Sequence, residues 1–394
     1  MSQIFNVLGR ASVHNLALPL PHLGRCSVAC EPFTAVHRSV HRHSRISWGG
    51  KVHQAPRQAR AVNVKGSSSD GTVAFEDLLE VAERAAKAGA AVVSERVDKP
   101  RNIEFKGATD LVTDTDKASE DAVLSVLRTS FPDHALLGEE GGISGDVNSE
   151  YLWCVDPLDG TTNFAHGYPC FAVSVAVLQK GDPVAGVVVE FAGGPGSWVT
   201  KTYGAAKGKG AFLNGSSINV SRCKDVNLSL LVTGFGYEHD EAWEANLELF
   251  KEFTDESRGV RRLGAAAVDL CHVALGVVDA YWEYRLKPWD MAAGVIIAKE
   301  AGAKITTMDG RPFTVFSRSV LAANEGIHSS ILEKTQPKTE ALMRKGIDLS
   351  PWFLPEGSAL SFSPGLFKYF DGPRHVSITW SKKPAVIANK LSSE

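Results

Sequence analysis

A chain of 394 residues, 44% of them hydrophobic, carries enough apolar side chain for one or two packed cores. Its formal net charge of −3 provides no large electrostatic footprint for nucleic acid. No apolar run reaches the roughly 18 residues a membrane-spanning helix requires, so neither a nucleic-acid nor a membrane partner is expected.

Residues 1–65 hold one acidic residue, Glu31, against nine Lys and Arg, together with six His. The segment is rich in Ser, Ala, Val and Arg and has no long apolar stretch. This is the composition of an organelle transit peptide rather than a secretory signal. A basic tail that stays on the protein is the alternative. The transit segment is placed at 1–62 and a Gly/Ser linker at 63–71, which ends in KGSSSDG, Lys65 to Gly71. Cys26 and Cys30 fall in the leader. Cys154, Cys170, Cys223 and Cys271 are scattered without metal-type pairing and read as buried or free thiols of a reducing compartment.

The body opens with helical periodicity. Phe75, Leu78, Leu79, Ala82, Ala85, Ala86, Gly89, Val92 and Val93 share one face. A second amphipathic stretch runs from Asp116 to about Ser130. The middle is rich in strand signals. Residues 151–155 form an apolar run stopped by Asp156-Pro157, while 171–178 and 184–191 are β-branched runs joined at Gly181-Asp182. Asn214-Gly215 marks a tight turn, and 230–235 reads as a buried strand. Helices are then expected near 241–253, 265–275 and 291–301, alternating with strands at 279–284 and 303–307. The pattern fits a layered α/β or α+β sandwich. Residues after about 338 show no clear period and are read as an extension, 338–394, of unknown role.

Chemistry concentrates in four short segments. The first is Trp153-Cys-Val-Asp156-Pro-Leu-Asp159-Gly-Thr161-Thr-Asn163, where a strand is expected to end at Asp156, a tight turn to follow, and a helix to start near Thr161. Two aspartates at such a turn suit a hard cation such as Mg2+, and amides at Gly160 and Thr161 suit phosphate. The second is Gly138-Glu139-Glu140-Gly141-Gly142. The third runs from Asp110 through Thr113 and Asp114 to Asp116. The fourth is Lys287-Pro-Trp289-Asp290. Taken singly, Asp116 and Asp290 stand where N-caps stand, and Glu139-Glu140 is a solvated loop. Together they place carboxylates at element ends, where loops build sites.

With these segments in view, residues from roughly Phe75 to Pro337 resemble the inositol monophosphatase family, and in particular its plant, chloroplast-targeted members. The stretch from Asp156 to Phe164 and the later Trp289-Asp290-Met-Ala-Ala-Gly carry the resemblance, which bounds a catalytic domain at 72–337. It implies an α-β-α-β-α sandwich and a Mg2+-dependent phosphomonoesterase that uses two or three ions per site. Its substrate would be an inositol monophosphate, with sugar 1-phosphates as further candidates and histidinol phosphate as the alternative. By resemblance Glu139, Asp156, Asp159 and Asp290 are metal ligands and Leu158 lends its carbonyl. Asp116 and Thr161 activate the attacking water, and Gly160 and Thr161 hold phosphate through their amides. Glu283 accepts from a substrate hydroxyl, the alternative being a surface strand residue. Gly264, Ala265 and Ala266 line the alcohol pocket, with Ala265 standing where some members have a hydroxyl residue. Lys106 lies one residue closer to Asp110 than the family's lysine and is not counted in the site. The resemblance also implies a homodimer and, with the leader, a place in the chloroplast stroma, a mitochondrion being the alternative. A non-catalytic regulatory protein on the same fold is the competing class.

Overall fold

The structure, a computed structural model, describes residues 73–352 except 101, 106–110 and 147. The leader, the linker, Lys106 and Asp110 lie outside the described residues, as does the extension from 353 onward. In chain order, helix α1 (Phe75–Arg96) is followed by a ribbon of β1 (Ile103–Phe105) and β2 (Leu111–Thr113), then α2 (Asp114–Ser130). Next come β3 (Ala135–Gly138), β4 (Gly142–Gly145), β5 (Tyr151–Asp159) and the short helix α3 (Thr161–His166). A meander follows, with β6 (Phe171–Gln179), β7 (Asp182–Ala192), β8 (Val199–Ala206), β9 (Ala211–Leu213) and β10 (Ser216–Ile218). The last part is β11 (Leu230–Thr233), α4 (Glu241–Glu256), β12 (Gly259–Arg261), α5 (Ala266–Leu275) and β13 (Ala280–Tyr284). It ends with α6 (Pro288–Glu300), β14 (Lys304–Thr306), β15 (Ser319–Ala323) and α7 (Glu325–Arg344).

Strand alternation sorts these elements into layers. An eight-stranded sheet has the order β10-β9-β8-β7-β6-β5-β3-β4, and a five-stranded sheet the order β12-β11-β13-β15-β14. Along β5, Tyr151, Trp153 and Val155 pack with α1 and α2, while Leu152 and Cys154 join α5 and α6 on the opposite face, as a period of two requires. The second sheet divides in the same way. Tyr281 of β13 faces α5 and α6, whereas Ala280, Trp282 and Tyr284 face α4 and α7. The outcome is five layers, α1/α2, sheet, α5/α6, sheet, α4/α7, the α-β-α-β-α arrangement expected. Helices α5 and α6 are apolar all round because both faces are covered by sheets.

Several boundaries differ from the sequence reading, three of them for a clear local reason. Strand β5 does not stop at Asp156 but continues to Asp159. Helix α2 starts two residues earlier than read, so its N-cap is Thr113 and not Asp116. Helix α7 passes through Pro337, where the domain edge was placed, and ends at Arg344. Ile331, Thr335, Thr339 and Leu342 are buried along it, and packing of that face outweighs the hydrogen bond that an interior proline removes. Among the described residues no helix is long and apolar enough to cross a membrane.

Candidate active site

The site begins with a defect in β5. Asp156 pairs with Ser174 of β6 and Asp159 with Ala172, so three steps on one strand face two on the other. Pro157 has no N–H for the ladder, and the strand bulges there. In a regular strand, residues three apart point to opposite faces. The extra residue cancels that alternation and lets Asp156 and Asp159 serve one side. Gly160, with φ of 84°, then turns the chain into α3. A Cβ there would meet the Cys170 carbonyl oxygen at 3.0 Å and the Ala265 methyl at 3.2 Å, so both conformation and space call for glycine.

Helix starts deliver the other groups. Asp116 is the third residue of α2, and its Oδ2 accepts from the Thr113 amide at 2.8 Å and the Thr113 hydroxyl at 2.6 Å. This ties down one oxygen and leaves Oδ1 3.0 Å from Thr161 Oγ1. Asp290 stands in the equivalent place on α6, its Oδ2 accepting the Lys287 N–H at 2.7 Å. Both aspartates therefore do cap their helices, but from the third helical position rather than from the N-cap. Each is held to its helix start through one oxygen, which leaves the other outside the cap. Asp159 is fixed by a third helix, accepting the N–H of Ala266 at 3.1 Å on Oδ1 and of Ala267 at 2.7 Å on Oδ2. The Ala266 amide is thus committed to Asp159. Asn163 ties α3 to the same corner by donating to the carbonyls of Cys170 and Leu263.

Glu139 sits in the turn between β3 and β4, with its N–H bonded to the Val155 carbonyl at 3.1 Å. The turn is held by Glu120, one helical turn beyond Asp116, which accepts the Glu140 amide at 2.9 Å. Gly138 makes room for that carboxylate, since a Cβ there would lie 2.1 Å from Glu120 Oε1. Glu120 escaped the sequence reading. The signal for it is its spacing of four from Asp116, which puts both acids on one helix face.

Burial and mutual repulsion dominate the electrostatics. The carboxyl of Asp156 is pushed well above its usual range by burial and then by the charges of Glu139, Asp159 and Asp290. Asp290 is raised in the same way, by burial and then Glu139. Asp159 rises to about 7 through burial, against the two helix amides that favour its charged form. Burial likewise raises Asp116. Among the described residues no three His, Cys, Asp or Glu side chains stand together at metal-ligand spacing. The donor chemistry nonetheless fits a hard divalent cation, because a set made only of oxygens suits Mg2+, and positive charge relieves the repulsion between these acids.

Glu283 is not a surface residue. It is 7% exposed, lies on β13 on the face turned toward α5 and α6, and accepts a hydrogen bond from the Tyr281 hydroxyl. Burial raises it to about 7. Gly234 leaves space for it, as a Cβ at that position would stand 1.9 Å from Glu283 Oε2. Asp269 of α5 is fully buried with both carboxyl oxygens unpaired among the described residues. Burial and the charges of Glu283 and Asp159 hold it well above its usual range. Beside Gly160 opens a cleft of about 350 Å³ lined by Thr162, Phe235, Tyr237, His239, Trp243, Arg262 and Gly264. His272 instead meets Glu190 at 3.4 Å, on a carboxylate also bound by Lys201 and Tyr203. Cys154, Cys170 and Cys271 are buried free thiols.

These shifts set a pH dependence for the ion-free protein. Asp159 and Glu283 move from 3.8 and 4.5 to about 7 on folding, so the folded chain keeps protons that the unfolded chain has released. Stability then falls as pH rises through that window. The imidazoles of His134 and His328, lowered by burial to about 4, act oppositely, but only below their ordinary 6.5. The carboxylate effect therefore dominates between about pH 6.5 and 7.5, above which the Lys287 ammonium, lowered by burial to about 8, also acts oppositely. Thermal unfolding in chelator is expected to show a melting temperature a few degrees lower at the upper end, with Mg2+ flattening the slope. A melting temperature that rises across this window would contradict the charge arrangement.

Comparison with known proteins bears on this geometry. The sequence profile described as the inositol monophosphatase family matches residues 75–341. Over 365 residues the chain is 56% identical to "Phosphatase IMPL1, chloroplastic" of Arabidopsis thaliana, covering 89% of this chain and 98% of that protein. It is 36% identical over 270 residues to "Nus factor SuhB" of Pseudomonas aeruginosa, covering 67% and 97%. Among solved structures, inositol monophosphatase from Anabaena (Nostoc) sp. PCC 7120 superposes with a TM-score of 0.59 at 39% identity. The superposition covers 67% of this chain and 96% of that one.

Proposed function

The chain belongs to the inositol monophosphatase family, and on that premise we propose that it is a Mg2+-dependent phosphomonoesterase whose first substrate is an inositol monophosphate. Phosphatases of this family are generally metal-dependent and act on small phosphate esters. The observation that carries the reading is the bulge in β5. It sets Asp156 and Asp159 on one side, within electrostatic reach of Glu139 and Asp290.

In this reading Glu139, Asp156, Asp159, Asp290 and the Leu158 carbonyl hold two or three ions. Bound Mg2+ lowers the pKa of a water and stabilises charge on the phosphoryl and leaving oxygens. Thr161 Oγ1 lies 3.0 Å from both Asp116 Oδ1 and the Leu158 carbonyl oxygen, and its single proton serves one of them at a time. When it donates to Asp116, its lone pairs are free to accept from the attacking water; as the water's proton passes to Thr161 Oγ1, the Thr161 proton passes to Asp116 Oδ1. The amides of Gly160 and Thr161 orient the phosphate. Glu283 accepts from a hydroxyl of the alcohol, and Gly264 and Ala265 shape the space beside it. Ala266 contributes through its position, since its amide is already bonded to Asp159. A buried carboxylate that accepts from ring hydroxyls disfavours alcohols lacking them.

The chloroplast stroma is the proposed compartment. The basic, acid-poor leader and the chloroplastic relative support it. A homodimer is proposed on the family resemblance alone. The test is phosphate release from inositol 1-phosphate, galactose 1-phosphate, histidinol phosphate and fructose 1,6-bisphosphate. Preference for inositol 1-phosphate is the expected result. Preference for histidinol phosphate would overturn the alcohol assignment while keeping the metal chemistry. Metal binding without turnover of any of them would favour the regulatory reading, which the relative named as a Nus factor keeps in view.

A further inference from the structure

We propose that Trp352, eleven residues past the family-matched segment 75–341, is a positioning residue for Asp290 and for the wall of the cleft, an inference that rests on the metal-binding reading of Asp290. After α7 the chain turns back. Leu349 is buried in the outer core shared with α4 and α7, and the Trp352 amide bonds the Phe316 carbonyl at 2.7 Å. The indole Nε1–H donates to the Leu286 carbonyl at 2.7 Å. The Lys287 ammonium lies 3.2 Å from the ring centroid and the Arg318 guanidinium carbon 4.0 Å from it. Both cations are thus seated on one aromatic ring, which attracts them through its negative face.

Leu286 and Lys287 are the two residues immediately before α6, and it is the Lys287 N–H that binds Asp290 Oδ2. The preceding residue, Arg285, takes a φ of 67°, a left-handed conformation that a long side chain adopts only when its surroundings impose it. Here they do. Its N–H bonds the Arg318 carbonyl at 2.6 Å, and its guanidinium pairs with Glu238 and Asp240. Asp240 caps α4 and directly follows His239, which lines the cleft. Arg318 in turn donates to the Asp348 carbonyl at 3.3 Å. One turn, 285–287, therefore connects Asp290, the cleft wall and the returning strap, and Trp352 is the strap's contact with it. Without the ring, Leu286 loses its donor and two like charges lose their common partner. The turn that aims Asp290 is then free to shift, and ligand positions tolerate little displacement.

The test compares Trp352→Ala and Trp352→Phe with wild type, using the full chain. Two readouts are taken. One is the Mg2+ concentration giving half-maximal hydrolysis of inositol 1-phosphate. The other is the concentration giving half of the Mg2+-induced rise in melting temperature without substrate. In Trp352→Ala both are expected to rise about tenfold, the lower end of the range for disturbing an outer partner of a metal ligand. Trp352→Phe keeps a ring for the cations but has no indole N–H, so it should fall between. Unchanged Mg2+ dependence in Trp352→Ala overturns the inference, whatever happens to its melting temperature in chelator, because a merely packing residue would lower only the latter. If that variant does not fold, unchanged Mg2+ dependence in Trp352→Phe overturns it equally. A wild type that responds to Mg2+ in neither readout would instead sink the metal reading of the site and this inference with it.

Discussion

Asp290→Asn is expected to leave the fold in place and lower turnover of inositol 1-phosphate by about a thousandfold or more, corresponding to about 4 kcal/mol of transition-state stabilisation. The amide oxygen of asparagine still accepts the Lys287 N–H that Asp290 Oδ2 now accepts, so the start of α6 keeps its cap. What disappears is a charge. In the ion-free protein that charge is a liability, because burial and the nearby Glu139 already push Asp290 well above its usual range. The ion-free variant should consequently melt no lower than wild type, while the Mg2+-induced rise in melting temperature shrinks. Kinetics and thermal unfolding, each with Mg2+ and with chelator, separate the two effects. Full activity would remove Asp290 from the site.

Asp116→Asn reaches the same chemistry by reversing a hydrogen bond. Asp116 accepts on both sides, from Thr113 on Oδ2 and from Thr161 on Oδ1. Asparagine has one oxygen to offer. If it keeps the two Thr113 donors, its NH2 faces Thr161 Oγ1 and donates to it, so the hydroxyl can no longer pass a proton onward. Helix α2 stays capped and substrate binding is little affected. The expected signature is a kcat lower by about 10² to 10⁴-fold with KM within a few-fold, the range for losing a general base. Thr161→Val should give a loss of the same order, and the double variant little more than either alone, because residues acting as one unit are not additive. A kcat within threefold of wild type in Asp116→Asn would assign the pair a structural role only.

Much of the candidate site was legible in advance because the chemistry proposed for it depends on residue type. Carboxylates at element ends carry the expectation of a hard-cation site, and the structure brings Asp156, Asp159, Glu139 and Asp290 within electrostatic reach of one another. The layers were also legible, since the alternation of helix-type and strand-type segments shows along the sequence. Features fixed by contacts distant along the chain could not be read in the same way. The bulge at Pro157 looks like a strand end because one sequence shows a missing donor but not the partner strand that runs on past it. For Glu283 an exposed strand position stays open as the alternative until Gly234, far off in the chain, is seen to open a space for it. Pro337 reads as a boundary because only packing on the buried face of α7 keeps the helix intact there. The strap from Gly346 to Trp352 has no period of its own. Its sense lies in bonds to Leu286, Phe316 and Arg318.

Phosphate release from inositol 1-phosphate by the purified protein, followed as Mg2+ is titrated from chelator to saturation, tests the central claim most directly. Turnover that is absent in chelator, rises with Mg2+ and disappears in Asp290→Asn is the predicted result. Hydrolysis that proceeds equally in chelator, or that survives in Asp290→Asn, would contradict a metal site built from these carboxylates.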